Sequence, residues 1–129
     1  MIVEIDGNDG VGKTTCINIL KNYFDGVIKF KDRGALTLAT DSNEFNKENG
    51  VCYILLDCSV KECQNRILKR GDSITEKYHT VEDLTYYREK FLNIASKNNI
   101  AIFDTTLNLP INDIINYIKG FKDGYCSRN

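Results

Sequence analysis

Four short runs of apolar and β-branched residues alternate along the chain with longer stretches whose apolar positions recur every three or four residues. The first run, Ile2-Val3-Glu4-Ile5, stops at Asp6-Gly7 and predicts a strand ending in a glycine-rich turn. Ile17, Leu20, Tyr23 and Phe24 then share one helical face, and Asp25-Gly26 ends that helix. Val27 to Phe30 predicts a second strand, which runs into Lys31-Asp32-Arg33-Gly34. The stretch from Ala35 to Gly50 becomes polar toward its end. It predicts a short helix near Ala35 to Thr40 and then a loop.

Val51 to Leu56 is almost continuously apolar and closes at Asp57, the pattern of a strand covered on both faces. Ser59-Val60-Lys61-Glu62 has capping-box spacing and opens a helix with Val60, Cys63 and Ile67 inward. After a charged connection, Thr80 to Asp83 opens another helix, apolar at Leu84, Tyr87, Phe91, Ile94 and Ala95. Ile100 to Phe103 predicts the fourth strand, ending at Asp104-Thr105-Thr106. Pro110 starts a last helix with Ile111, Ile114, Ile115 and Ile118 on its inner face. Strands alternating with helices predict one α/β domain over residues 1–129, a mostly parallel sheet of about four strands with helices on both faces. In that architecture ligands sit beyond the carboxyl ends of the strands. The polar groups expected at that edge are Gly7 to Thr14, Asp32-Arg33, Asp57 and Asp104 to Thr106.

Composition narrows the partners. With 42% hydrophobic and 27% charged residues the chain reads as globular, and 129 residues supply one modest core. A net charge of -1 argues against a nucleic-acid polymer, and no apolar run approaches membrane-spanning length. The five cysteines (Cys16, Cys52, Cys58, Cys63, Cys126) form no CxxC pair or zinc spacing, and with a strand predicted from the first residues no signal peptide is expected. Reduced thiols and a cytoplasmic location are expected. Cys126 stands fourth from the end, but its polar neighbours and the final Asn speak against prenylation.

Gly7-Asn8-Asp9-Gly10-Val11-Gly12-Lys13-Thr14 fits GxxxxGK[ST] at every fixed position, between a predicted strand and a predicted helix. Gly10 and Gly12 let successive backbone N–H groups converge on phosphate oxygens, and the helix opening at Lys13 adds the positive end of its dipole. Lys13 can reach the β- and γ-phosphates, and the Thr14 hydroxyl can ligate Mg2+. Mg-ATP is the expected cofactor, and a three-layer P-loop NTPase fold the expected setting. Asp9, Gly10, Val11, Gly12, Lys13, Thr14 and Thr15 are expected around the donor.

Asp32-Arg33 at a neighbouring strand end suits phosphoryl transfer. Asp32 can join Thr14 at the metal or orient the attacking oxygen, and Arg33 can clamp a phosphate. Arg66, Lys69 and Arg70 share a helix face, ahead of a charged loop, and predict a basic lid over about residues 66–79 that excludes water. Strand-terminal Asp57 is left out of catalysis because Asp32 competes for the metal. His79 is expected to cap a helix or face solvent.

The stretch Ile5 to Thr15, IDGNDGVGKTT, resembles the phosphate loop of thymidylate kinases. Asp32-Arg33 resembles that family's Asp-Arg motif, and the run from Arg66 to Ala95 its lid and following helix. The resemblance implies transfer of the ATP γ-phosphoryl group to a deoxynucleoside monophosphate such as dTMP. Lys13, Asp32, Arg33 and Arg70 would be catalytic, with Arg66 at the donor, Asp9 at the acceptor sugar, Tyr86 or Tyr87 beside the acceptor and Asp104 to Thr106 bordering adenine. In one respect the chain departs from the family. Only Asp25 to Lys31 separates the first helix from Asp32-Arg33, where the family has further elements that read the acceptor base. A kinase for a nucleoside or other small acceptor therefore stays open, as does a non-catalytic ATP sensor or subunit, and so does the choice of monomer or homodimer.

Overall fold

Alternation in Ile2–Asp6 places Val3 and Ile5 on one face, both fully buried, and makes β1 (Ile2–Asp6) a central strand. The computed structural model describes residues 1–128, with side chains through residue 124, so the Cys126 thiol and Asn129 lie outside the described residues. After β1 come α1 (Lys13–Phe24), β2 (Lys29–Asp32), α2 (Ala35–Ser42), β3 (Val51–Asp57), α3 (Val60–Lys69), α4 (Val81–Lys97), β4 (Ala101–Asp104) and α5 (Ile111–Arg128). The sheet order is β2-β1-β3-β4 and every pairing is parallel. The expected mostly parallel sheet is thus wholly parallel, in a three-layer α/β arrangement.

Both faces of β3 are covered, which explains its continuous apolar run. Cys52, Ile54 and Leu56 join residues of α1, α3 and α5 in one cluster. Val51, Tyr53 and Leu55 join Leu36 of α2 with Phe91 and Ala95 of α4 in the other. The Ser59 hydroxyl accepts from the Glu62 amide at 3.3 Å, as the capping-box spacing predicts, and Thr80 accepts from Asp83 at 3.1 Å. Among the described residues no helix is long and apolar enough to cross a membrane.

Two local expectations shift. The second strand forms over Lys29–Asp32 rather than Val27–Phe30, because pairing with β1 fixes it: Ile2 sits opposite Lys29 and Ile5 opposite Asp32. An edge strand buries little, here only Phe30, so its polar residues hide it from an apolar count. Val27 instead lies 61% exposed after the turn at Asp25-Gly26. On α1, Ile17, Leu20 and Phe24 are buried, but Tyr23 is half exposed and stacks edge-on against Phe24, 5.0 Å between ring centres.

Ile54 is fully buried at the centre of the sheet. Ile54→Ala is expected to cost about 2–5 kcal/mol of stability, read as a lower urea midpoint at unchanged slope.

Candidate functional site

A wholly parallel sheet brings all four strand ends to one edge. Asp32 pairs beside Ile5, Leu55 beside Asp6, and Asp57 beside Asp104. From β1 the chain crosses to one side of the sheet and from β3 to the other, so the crevice between these two strands is the topological switch point. The glycine loop fills its mouth. Gly7 has φ +146°, and a Cβ there would stand 2.4 Å from the Leu56 carbonyl oxygen. At Gly10, φ +89°, a Cβ would stand 2.7 Å from the Cys63 carbonyl oxygen. These positions take glycine because the loop passes in backbone contact with β3 and α3.

The loop is anchored from several sides. Val11 is buried and its amide donates to Asn8 O at 3.3 Å. Asn8 Nδ2 donates to Leu84 O on α4 at 2.8 Å, and Thr105 Oγ1, beyond β4, donates to Val11 O at 2.7 Å. Gly12, φ +97°, precedes α1 with no side-chain cap and no acid in the first turn, so the α1 amides face the site without a protein anion. Lys13 Nζ donates to the carbonyls of Gly7 and, at 2.9 Å, Asn8. Burial pushes its pKa down, with Asp9, Asp6 and Asp32 acting the other way and Arg33 adding to the fall. Thr14 and Thr15 are exposed on the first turn of α1.

Arg66 and Arg70 share a helix face but meet different partners. The Arg66 guanidinium is held within the protein. It bonds Glu62 at 3.2 Å, Gly10 O at 3.2 Å, and Thr105 O and Thr106 O, so it joins α3, the loop and the β4 end. Arg70 reaches over the loop, with Nη2 2.7 Å from Asp9 Oδ2, and also pairs with Asp72. The hydrogen bond that Arg70 donates to Asp9 raises the Arg70 pKa.

His79 completes this clamp and corrects the sequence expectation. It is only 9% exposed and caps no helix, since Thr80 does that. Its Nε2 lies 2.6 Å from Asp9 Oδ2 and its Nδ1 2.8 Å from Ser73 O. Both neighbours are acceptors and a neutral imidazole has one N–H, so both bonds form only on the imidazolium. Burial lowers the His79 pKa, but the bonds to Ser73 and Asp9 outweigh it and the net shift is upward. Burial likewise raises Asp9, and the bonds from Arg70 and His79 outweigh that and hold it at about 2.

Asp32 and Arg33 are both exposed at the end of β2. Arg33 has φ +48°, a left-handed conformation unusual for its side chain, and turns the strand into α2. Two acids on β1 fix that turn. Asp6 Oδ1 accepts from the amides of Gly34 at 2.8 Å and Thr37 at 3.2 Å and from the Thr37 hydroxyl, while Glu4 Oε1 accepts from Ala35 N at 2.9 Å. Asp6 is fully buried, its Oδ2 meets no donor, and burial raises its pKa. Asp57, expected at this edge but left out of catalysis, is held by Arg88 of α4 through two bonds of 2.9 and 3.0 Å.

Two cavities flank the loop. The larger, about 400 Å³, lies between the loop, α2 and α4; its lining includes Asp9, Lys13, Arg33, Asp41, Tyr78 and Tyr87. The smaller, about 190 Å³, is lined by Val11, Gly12, Thr15, Arg66, Thr105 and Leu109. Of the residues proposed from sequence, Asp9, Lys13, Arg33 and Tyr87 face the larger cavity, and Val11, Gly12, Thr15, Arg66 and Thr105 the smaller, while Gly10, Thr14, Asp32 and Arg70 line neither. Tyr86 lines neither, being half exposed with its ring against Tyr87. Glu4, Asp6, Thr37, Thr40, Asp41, Tyr78, His79 and Phe91 were not singled out for the site. The available signals were two acids two apart on a strand otherwise apolar, and Thr37, Thr40 and Asp41 at one-face helical spacing.

No protein-family model matches this chain, and no curated protein does. What defines it is therefore its own geometry, a parallel α/β domain with a glycine loop at its switch point.

The clamp has a pH window. Asp9 contributes in full above its ordinary 3.8 and loses the contribution as pH falls toward about 2. His79, raised above 6.5, contributes in full below 6.5 and loses it as pH rises through its folded-state pKa. Glu76, 3.9 Å from Nδ1, favours the same charged form. We expect residues 71–78 to resist limited proteolysis best between about pH 4 and 6.5 and progressively less above it. In His79→Gln this pH dependence should be flat; a flat profile in the unaltered protein would contradict the clamp.

Proposed function

We propose that the chain is a P-loop phosphotransferase that moves the γ-phosphoryl group of ATP to a nucleoside monophosphate. The observation that carries this reading is one loop between two cavities, a smaller one for the donor nucleoside and a larger one for an acceptor. A protein that only sensed ATP would need the first and not the second.

The free amides at the start of α1 would take the donor phosphates. Lys13, now bonded to two loop carbonyls, would exchange them for the β- and γ-phosphate oxygens, to which it offers the same donors. A hard cation wants oxygen ligands, and the Thr14 hydroxyl and Asp32 carboxylate are exposed at this edge. Thr14 and Asp32 would offer Mg2+ oxygen ligands, with the nucleotide supplying the others. Bound there, the ion would neutralise charge on the transferring group.

Arg33, aimed by its left-handed backbone, would hold the acceptor phosphate in line with the donor. Arg66 would act on the donor side through the loop it braces. Arg70 and His79, locked to Asp9, would close the lid and keep water from the transferring group. Asp9 receives both clamp bonds on Oδ2, which leaves Oδ1 for the acceptor sugar.

Coupled ADP release across nucleosides and nucleoside monophosphates tests the reading. An acceptor that raises turnover well above slow hydrolysis is expected, and if none does the kinase reading fails. Lys13→Ala is expected to lower kcat/KM by about 100-fold or more. Arg33→Ala should raise the acceptor KM or lower kcat with ATP affinity unchanged. An equal loss of ATP binding would contradict the Arg33 assignment.

A further inference from the structure

The larger cavity has two chemically different ends. Lys13 and Arg33 make one cationic, with the Asp9 carboxylate beside them already paired to Arg70 and His79, while Asp41 and Thr40 bring a carboxylate and a hydroxyl from the later part of α2. Thr37, Thr40 and Asp41 share one face of α2, and at 1.5 Å per residue Asp41 stands roughly 9 Å along that helix from Ala35. That matches the reach from a 5′-phosphate to the far edge of its base. Between the ends stand Tyr78, Tyr87 and Phe91. The rings of Tyr78 and Tyr87 lie 5.5 Å apart, and Tyr86 braces Tyr87 edge-on at 5.1 Å.

Backbone strain points to the same cavity. Among the described residues, five other than glycine have positive φ: Asp25, Arg33, Asn43, Tyr78 and Asn99. Asp and Asn tolerate this conformation, whereas Arg and Tyr do not favour it. Arg33, at φ +48°, and Tyr78, at +73°, both line the larger cavity, one at its cationic end and one in its aromatic wall. The Tyr78 turn is pinned by its amide, which donates to Asp83 Oδ2 at 2.8 Å. Such positions persist where the surroundings impose them, typically around a ligand.

The far end sets what the ligand must offer. A carboxylate only accepts hydrogen bonds. The Tyr87 hydroxyl already donates to Asp41 Oδ1, at 3.4 Å, and fixes that side; Oδ2 has no such donor. The Thr40 hydroxyl donates to Thr37 O at 2.6 Å, so toward the cavity it too offers acceptor capacity. A base bearing an exocyclic amino group presents N–H donors to such an end. Thymine and uracil present one N–H flanked by two carbonyl oxygens, which the carboxylate repels.

We propose that Asp41 reads the acceptor base, and that the acceptor carries an amino-bearing base (cytosine, adenine or guanine) in preference to thymine or uracil. The proposal rests on the larger cavity being the acceptor site, and it sets this chain apart from the thymidine acceptor its sequence resemblance implies. Arg33 takes the acceptor phosphate, Tyr78, Tyr87 and Phe91 the ring, and Asp41 with Thr40 the amino edge.

The test pairs direct binding with turnover. Isothermal calorimetry with dCMP, dAMP, dGMP, dTMP and dUMP is run beside coupled ADP release with the same five. At least one amino-bearing monophosphate is expected to bind about tenfold or more tighter than dTMP and dUMP. Asp41→Asn, at an exposed position and checked for an unchanged melting temperature, is expected to collapse that ratio, since an amide both donates and accepts. Selective binding without turnover would sustain the base assignment while the kinase reading fails. If dTMP or dUMP binds as well as the best amino-bearing ligand, if none of the five binds, or if Asp41→Asn leaves the ratio unchanged, the assignment is overturned.

Discussion

The site depends on how closely the glycine loop runs against its neighbours. With 2.4 Å between a notional Gly7 Cβ and the Leu56 carbonyl, and 2.7 Å between a Gly10 Cβ and Cys63 O, any side chain would force β1 away from β3 or lift the loop from α3. Because neither happens, Lys13 can fold back onto Gly7 O and Asn8 O, Thr105 can reach Val11 O, and Arg66 can reach Gly10 O. Each contact fixes the loop relative to a different strand end or helix. The path of the backbone thus decides where the charged side chains stand.

On this frame, charges that look alike in sequence have separate roles. Arg66 and Arg70 are one helical turn apart. The first points inward and is held by carbonyls, while the second projects past the end of α3 and finds Asp9. Asp9 gathers a guanidinium and an imidazolium on one oxygen, which ties residues 70–79 to the loop. Asp6 and Glu4 hold the first turn of α2, so the side that carries Arg33 also carries Thr37, Thr40 and Asp41 into the cavity. Of the larger cavity's lining, Arg33 stands just before α2 and Asp41 near its end, while Lys13 comes from the start of α1.

Much of this was legible in the sequence. Short apolar runs and helical periodicity pointed to the strands and helices, most of which bury a face filled with apolar residues. The loop was legible because its glycines and Lys13 are needed for local backbone reasons. The start of β2 was missed because an edge strand is set by pairing, not by apolar content. The role of His79 was missed because it arises from contact with Asp9, 70 residues away. Asp41 fell in the loop expected after a helix near Ala35 to Thr40, whereas α2 runs on to Ser42 and its packing against α4 brings Asp41 to Tyr87 and the cavity.

At the centre of this account is one loop serving two nucleosides at once. An analogue joining adenosine through an oligophosphate bridge to a second nucleoside, made with each common base in turn, would occupy both cavities together. With the bridge lying along the loop, the account predicts that the best such analogue binds about 100-fold or more tighter than the same oligophosphate bearing adenosine alone, since the second cavity is filled at no further cost of association. Equal affinity of the two compounds, whatever the second base, would contradict it.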